Sequence, residues 1–161
     1  MTLYDPATFD IRTAVPPLIG RVRTALMGAL DERLAPFEVK SADYVVLATI
    51  ANDMADTAST VCSILAHDPG AMTRRIDALE ARGLVRRVRC AEDRRSIKLE
   101  LTPAGRRVFP KMRAAAIGMV NEMLHGFTKP EVRALEGMLQ RILANADAMQ
   151  REPAPAKEAR R

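Results

Sequence analysis

Residues 67–105 read HDPGAMTRRIDALEARGLVRRVRCAEDRRSIKLELTPAG, and this stretch decides the fold. Its first part carries the signals of a helix start, because Asp68 suits an N-cap and Pro69 suits the first helical turn. Gly83 suits the residue that ends a helix. The apolar residues that recur on one helical face between these signals are Met72, Ile76 and Leu79. The sequence therefore predicts a helix that starts at Pro69 and stops at Gly83.

After Gly83 the spacing of the apolar residues changes from helical to strand-like. Leu84, Val85 and Val88 indicate one short strand, and Ile97, Leu99 and Leu101 alternate with polar residues in a second. The segment CAEDRRS between them is polar and charged. This pattern predicts a β-hairpin with a long basic tip, which is the only strand signal in the sequence.

The rest of the chain predicts helices. Pro16 and Pro17 precede an apolar repeat that predicts a helix over 16–35, and Ser41 and Thr57 are predicted to cap helices over 41–52 and 58–66. Two further helices are predicted over 103–125 and from the capping box at 128–131 to 149. The tail 150–161 is rich in Pro, Ala and charge, which predicts disorder. The expected fold class is mainly α with one small β-hairpin.

Positive charge is concentrated in one part of the sequence. Residues 71–107 contain eleven Lys and Arg against five Asp and Glu, a net charge of +6, whereas the whole chain of 161 residues carries +5. A basic segment of this kind favours a nucleic-acid partner. The sequence contains no nucleophile elbow, no phosphate-binding glycine loop and no set of metal ligands, so we expect neither an enzyme nor a cofactor.

A helix, a turn, a second helix and a basic hairpin follow one another in the order of a winged helix-turn-helix. The N-terminal half of the second helix can enter the major groove, where Arg recognises guanine through two hydrogen bonds. The candidate DNA contacts in this helix are Ala71, Thr73, Arg74 and Arg75, and those at the hairpin tip are Arg94 and Arg95, suited to the minor groove. Arg86 and Arg87 are candidate phosphate contacts, with plain solvation as the alternative. Asp93 is expected to pair with a nearby Arg and support the wing.

Residues 67–105 resemble the recognition helix and wing of the multiple-antibiotic-resistance regulator (MarR) family. The matching pieces are DPGAMTR, LEARGLVRR and Asp93-Arg94-Arg95 followed by Leu99, Leu101 and Thr102. The resemblance extends over roughly 14–148. It implies a homodimer in which residues 14–36 and 103–149 form a helical dimerisation platform, with residues 41–102 as the winged helix-turn-helix domain. It also implies a near-palindromic double-stranded DNA operator as the partner.

The same resemblance implies how DNA binding is regulated. Family members usually repress transcription, and many release DNA when a small phenolic or anionic ligand enters a pocket between the platform and the winged domain. Met27 and Tyr44 are the candidate walls of such a pocket. The alternative for the Met residues of these helices is simple core packing.

The two cysteines leave a second form of regulation open. Cys62 lies among apolar residues and is expected to be packed and inert, whereas Cys90 lies among Arg residues that can make a thiol reactive. A redox-responsive regulator acting through Cys90 is therefore one alternative, and a helical protein-interaction module without DNA binding is another. With no signal peptide and no apolar run of membrane-spanning length, we expect a cytoplasmic protein that does not bind membranes.

Overall fold

The structure, a computed structural model, describes residues 2–65, 68–89 and 97–151. Its elements in chain order are α1 (Val15–Leu34), a 3₁₀ turn (Ala35–Phe37), α2 (Ser41–Ala51), α3 (Ala58–Leu65), α4 (Pro69–Ala81), β1 (Val85–Arg89), β2 (Ile97–Leu101), α5 (Pro103–Met123) and α6 (Lys129–Arg151). The mainly α fold with one antiparallel hairpin is confirmed. Each predicted helix is present, with ends within two residues of the expected ones.

The chain divides into two compact units, residues 1–121 and 122–161. In the first unit, α2 packs against α1, α3, α4 and β2. The core of this unit contains Leu30 and Leu34 from α1, Val46, Leu47 and Ile50 from α2, Met72, Ile76 and Leu79 from α4, and Phe109, Met112 and Met119 from α5. One buried face of α4 therefore attaches it to the rest of the unit, as its apolar spacing predicted.

The hairpin is joined to the chain segment before α3. β1 and β2 pair with Val85 opposite Leu101 and Arg89 opposite Ile97. On its other edge β2 meets Thr57 through an isolated bridge at Lys98, and the Leu99 N–H donates to the Asp56 carbonyl at 2.6 Å. Lys98 Nζ also lies 2.9 Å from Asp56 Oδ2. No local sequence pattern predicts this bridge, which ties the wing to the start of α3.

Three of the predicted helix caps are confirmed. The Asp68 side chain accepts from the Ala71 N–H at 2.9 Å at the start of α4. Thr57 Oγ1 accepts from the Thr60 N–H at 3.2 Å at the start of α3. At the start of α6, the Thr128 N–H donates to Glu131 Oε2 at 2.7 Å. These contacts satisfy backbone N–H groups that would otherwise have no partner within the helix.

The predicted cap of α2 is wrong. Lys40 occupies the N-cap position, and Ser41 is the first helical residue and is buried. The Ser41 N–H donates instead to Asp31 Oδ1 at 2.6 Å, so a carboxylate of α1 caps α2. The hydrogen bond from the Ser41 backbone is the main reason why the pKa of Asp31 lies below its ordinary value.

The helix of the second unit presents an apolar face without burying it. No residue of α6 is buried. Its exposed apolar residues follow helical spacing and are Leu135, Met138, Leu139, Ile142 and Leu143. An exposed stripe of this length is typical of a surface that another helix covers. Among the described residues, no helix is both long enough and apolar enough to cross a membrane.

Candidate nucleic-acid interface

The N-terminal half of α4 is well ordered by its own sequence and open on one side. Pro69 needs no hydrogen-bond partner for its nitrogen, and the Asp68 cap holds the Ala71 N–H. While one face of α4 is buried, Thr73, Arg74 and Asp77 lie exposed on the opposite face. This is the geometry that places helix side chains against base edges when a helix lies in the major groove.

Arg74 is a basic residue on this exposed face that can contact an outside ligand. The structure gives it no hydrogen bond or ion pair with any described residue, and its side chain is exposed. The Thr73 hydroxyl beside it donates to the Pro69 carbonyl at 2.9 Å and keeps its own lone pairs for an outside donor. Ala71 lies at the half-buried edge of the same turn.

Arg75 lies on the side of α4 that faces α2. Its Nη1 donates to Asp43 Oδ1 at 2.9 Å, and the two side chains are only 32% and 19% exposed. Its Nε is buried and has no hydrogen-bond partner among the described residues. The DNA-reading role expected for Arg75 stays a prediction, and the ion pair gives this side chain a second role within the domain.

Arg82, directly after α4, attaches this end of the helix to the corner between α1 and α2. Its Nη1 donates to the Glu38 carbonyl at 2.6 Å and its Nη2 to the Phe37 carbonyl at 3.0 Å. Glu38 has a φ of 55°, a left-handed conformation in the turn that leads to α2. The guanidinium therefore satisfies two carbonyls at a turn with an uncommon backbone geometry.

Arg87 and Arg86, the candidate phosphate contacts, both have acidic partners. Arg87 Nη2 lies 2.7 Å from Asp77 Oδ1, and Nη1 pairs with Glu80, so β1 is tied to α4. The hydrogen bond with Asp77 is the first reason why the pKa of Arg87 lies above its ordinary value. Arg86 pairs across the hairpin with Glu100 at 2.7 Å. Phosphate contact by either residue stays a prediction.

Four of the predicted residues lie outside the described part of the chain. Arg94 and Arg95, the candidate minor-groove contacts, belong to the segment between β1 and β2. So do Asp93, the expected wing support, and Cys90, on which the redox alternative depends. Cys62 is half-buried in α3.

One cleft of the first unit is lined by residues other than the two candidate effector residues. A cleft of about 430 Å³ is lined by Ile50, Ala51, Asp53, Asp56, Lys98, Leu99, Glu100, Leu101, Arg106 and Phe109. Tyr44 stacks on Phe109, one of these lining residues, with ring centroids 6.0 Å apart and planes at 18°. Burial raises the pKa of the Tyr44 hydroxyl above its ordinary value. Met27 is half-buried in α1, and the roles of Met27 and Tyr44 as walls of an effector pocket stay predictions.

Comparison with known proteins agrees with this geometry. A model described as the MarR family matches residues 38–96, the segment from the corner before α2 to the end of the hairpin tip. The crystal structure of transcriptional regulator PA3341 is similar to this chain at 30% identity and a TM-score of 0.75, covering 81% of this chain and 96% of its own. The chain belongs to the MarR family.

Two further structures that are similar to this chain were solved with a bound ligand. A Cys-to-Ser mutant of MarR from E. coli, solved in complex with operator DNA, is 28% identical with a TM-score of 0.71 and covers 78% of this chain and 91% of its own. CouR from Rhodococcus jostii RHA1, solved with bound p-coumaroyl-CoA, is 25% identical with a TM-score of 0.76 and covers 84% and 95%. MarR-family proteins are transcription regulators, and this chain is a DNA-binding transcription regulator of that family.

Sequence reasoning located the exposed face of α4 but missed the acidic partners of the arginines in α4 and β1. Asp43 precedes Arg75 by 32 residues, and Glu100 follows Arg86 by 14. Only Asp77 and Glu80, ten and seven residues before Arg87, are close enough in sequence to have been considered with it. An acid in the first turn of α2 is the one sequence signal that could have indicated the Asp43–Arg75 pair.

Proposed function

We propose that this MarR-family regulator is a homodimeric repressor that binds a near-palindromic operator and releases it when a small phenolic or anionic organic effector binds. The observation that carries the DNA-binding part is the exposed Thr73–Arg74 surface at the capped start of α4. A MarR relative solved with operator DNA supports it. The cytoplasmic location stays a prediction, and the family's action on DNA supports it.

DNA contact follows from the chemistry of the exposed side chains. Arg74 offers two parallel N–H donors to a guanine edge, and Thr73 and Ala71 contact the neighbouring base or sugar. The sequence alone predicts that Arg94 and Arg95 enter the minor groove and that Asp93 supports the wing. Because α4 is capped and its opposite face is buried, the helix presents the side chains of Ala71, Thr73 and Arg74 with little conformational freedom.

The homodimer is supported by apolar surface in each unit. The exposed stripe of α6 around Leu139 has no buried residue, and α1 exposes Leu18, Ile19 and Val22. We assign the dimerisation role to residues 14–36 and 103–149 and the winged helix-turn-helix to 41–102. A second copy of the chain is the partner that would cover such stripes in a symmetric assembly.

The cleft in the first unit is a candidate effector site. Its lining combines the buried side chains of Ile50 and Phe109 with two cations, Arg106 and Lys98, and three acids, Asp53, Asp56 and Glu100. Lys98 is paired with Asp56, so Arg106 is the cation that would bind the acid group of a small organic effector whose apolar part contacts Ile50 and Phe109. CouR, solved with p-coumaroyl-CoA, is the relative that supports an organic anion as the class of effector.

The DNA-binding proposal is tested by fluorescence anisotropy with the DNA upstream of the protein's own gene. Arg74→Ala is expected to lose about 1–3 kcal/mol of operator binding and to relax specificity at one base position. Arg133→Ala in α6 is the matched control, since it removes the same charge from another exposed helical position. Equal effects of the two variants, or no preference of the wild type for operator over random DNA, would contradict the proposal.

The dimer and the effector have separate tests. Leu139→Lys places a charge in the α6 stripe and is expected to raise the monomer fraction in sedimentation at micromolar concentration, whereas Glu136→Lys on the same helix is the control. Salicylate and other aromatic acids are expected to weaken operator binding, and operator to weaken their binding by the same factor. A wild-type protein that stays monomeric at this concentration contradicts the homodimer. A panel of acids that leaves operator binding unchanged contradicts the proposed effector.

A further inference from the structure

The recognition helix α4 is held at two places by arginines that reach neighbouring elements. Arg75, in its middle, donates to Asp43 in the first turn of α2. Arg82, just beyond its C-terminal end, donates to the Phe37 and Glu38 carbonyls at the corner between α1 and α2. Both arginines belong to the basic segment whose charge points to DNA, and each donates at least one guanidinium hydrogen bond to a neighbouring element of the domain.

The Asp43–Arg75 pair is costly to open. Both side chains are largely shielded from water, and Asp43 is the more shielded of the two. If Arg75 turned outward to a base, Asp43 would remain shielded without its cation, and a carboxylate in that condition is strongly disfavoured. The buried Nε of Arg75 also lies against the domain and not toward the open face of α4.

We propose that Arg75 and Arg82 are positioning residues, which fix the angle of α4 against α2 and the α1–α2 corner, and that they do not contact DNA. This inference rests on the proposed function, because it takes α4 to enter the major groove. Base recognition needs side chains held to within a fraction of an ångström, whereas attraction to phosphates depends mainly on charge. Loss of an anchor should therefore reduce affinity for the operator and leave affinity for random DNA nearly unchanged.

Substitution of Asp43 distinguishes a positioning role of Arg75 from direct contact between Arg75 and DNA. Asp43→Ala removes a negative charge from the neighbourhood of the DNA-binding face, so charge alone predicts tighter binding to any DNA. If Arg75 recognises a base, the same variant frees its side chain and again binds as tightly or more tightly. Only a positioning role predicts weaker operator binding, so the sign of the change decides.

The experiment measures operator and random-DNA affinities of the full-length Asp43→Ala, Arg75→Ala and double variants over a range of salt concentrations. Asp43→Ala is expected to lose about tenfold in operator affinity, with an unchanged salt slope. Arg75→Ala is expected to lose about as much, and the double variant no more than either single one. Glu32→Ala, an exposed acid on α1, is the matched control and should bind the operator as the wild type does.

Thermal unfolding of each variant separates misplacement of α4 from loss of the fold. Should Asp43→Ala be unfolded, Asp43→Asn keeps the shape and an acceptor oxygen, and it is expected to lose a smaller part of operator affinity. Arg82→Ala is expected to weaken operator binding without changing the salt slope. A slope reduced by about one for Arg82→Ala would show a phosphate contact and overturn its assignment.

The outcomes distinguish this inference from the function on which it rests. If the wild type has no preference for the operator, or if Arg74→Ala has no effect, the proposed DNA docking fails and the inference fails with it. If both of those results are as expected and Asp43→Ala binds the operator as tightly as the wild type or more tightly, only the positioning role is overturned. Additive losses from Asp43→Ala and Arg75→Ala would overturn it equally.

Discussion

Gly105 is the position at which a single methyl group tests the junction between the wing and α5. It is buried in the first turn of α5, and a Cβ added there would lie 2.2 Å from the Leu84 carbonyl oxygen and 3.1 Å from its carbonyl carbon. That oxygen already accepts from the Thr102 N–H at 3.0 Å. Gly105→Ala must therefore push α5 away from the residue that leads into β1.

The magnitude follows from two opposing effects. Forcing a methyl group against fixed backbone is expected to cost about 1–3 kcal/mol or somewhat more, because the Leu84 carbonyl cannot rotate away like a side chain and its hydrogen bond to Thr102 is strained. Replacing Gly by Ala within a helix returns about 1 kcal/mol. We expect a net decrease in the free energy of unfolding, seen as a melting temperature lower by a few degrees.

Gly28→Ala is the matched control, because the same substitution in α1 meets no atom within 4 Å. Only the helix propensity remains there, so the expected change is a gain of about 1 kcal/mol. Both variants are compared by circular dichroism at one protein concentration, since the melting temperature of an oligomer depends on concentration. The reasoning is refuted if Gly105→Ala is as stable as Gly28→Ala.

Two further predictions concern contacts around α1. The Val15 N–H donates to the Tyr4 hydroxyl at 3.0 Å, so Tyr4→Phe is expected to lower the free energy of unfolding by up to about 1 kcal/mol, with Tyr4→Leu revealing any additional loss from the ring contact with Phe9. The pKa of Asp31 is lowered in the folded protein by the Ser41 hydrogen bond, so the stability that it contributes is present above its ordinary pKa and is lost as the pH falls through the lower, folded value. Urea unfolding between pH 6 and pH 3 should accordingly show a weaker loss of stability toward acid for Asp31→Asn than for the wild type, and parallel curves would contradict this assignment.

Features that depend on neighbouring residues could be predicted from the sequence. The caps at Asp68, Thr57 and Thr128 need partners only three residues away, and all three are present. The same is true of the end of α4, where Gly83 takes a φ of 66° that few other residues adopt. The buried face of α4 followed from helical spacing alone.

Features that depend on distant residues could not be predicted. A serine before an apolar run is a good cap by itself, but Ser41 is buried and Asp31 of the previous helix supplies the acceptor. The bridge between Thr57 and Lys98 joins segments 41 residues apart, and no local pattern marks it. In each case the contact exists because packing of the core brings together elements whose separate sequences carry no sign of each other.

The basic segment 71–107 shows how contacts between residues far apart in the sequence affect the prediction of function. The net charge of +6 over residues 71–107 pointed to DNA, yet most of its described cations are engaged within the domain. Acidic partners hold Arg75, Arg86, Arg87 and Lys98, and Arg82 is bound to carbonyls. In the part of this segment that the structure describes, the basic residues whose side chains have neither an ion pair nor a hydrogen bond are Arg74, Arg89, Arg106 and Arg107. The number of phosphates that each winged domain neutralises, and with it the salt slope of binding, should therefore be set by these few cations and those of the hairpin tip, and not by the eleven basic residues of the sequence.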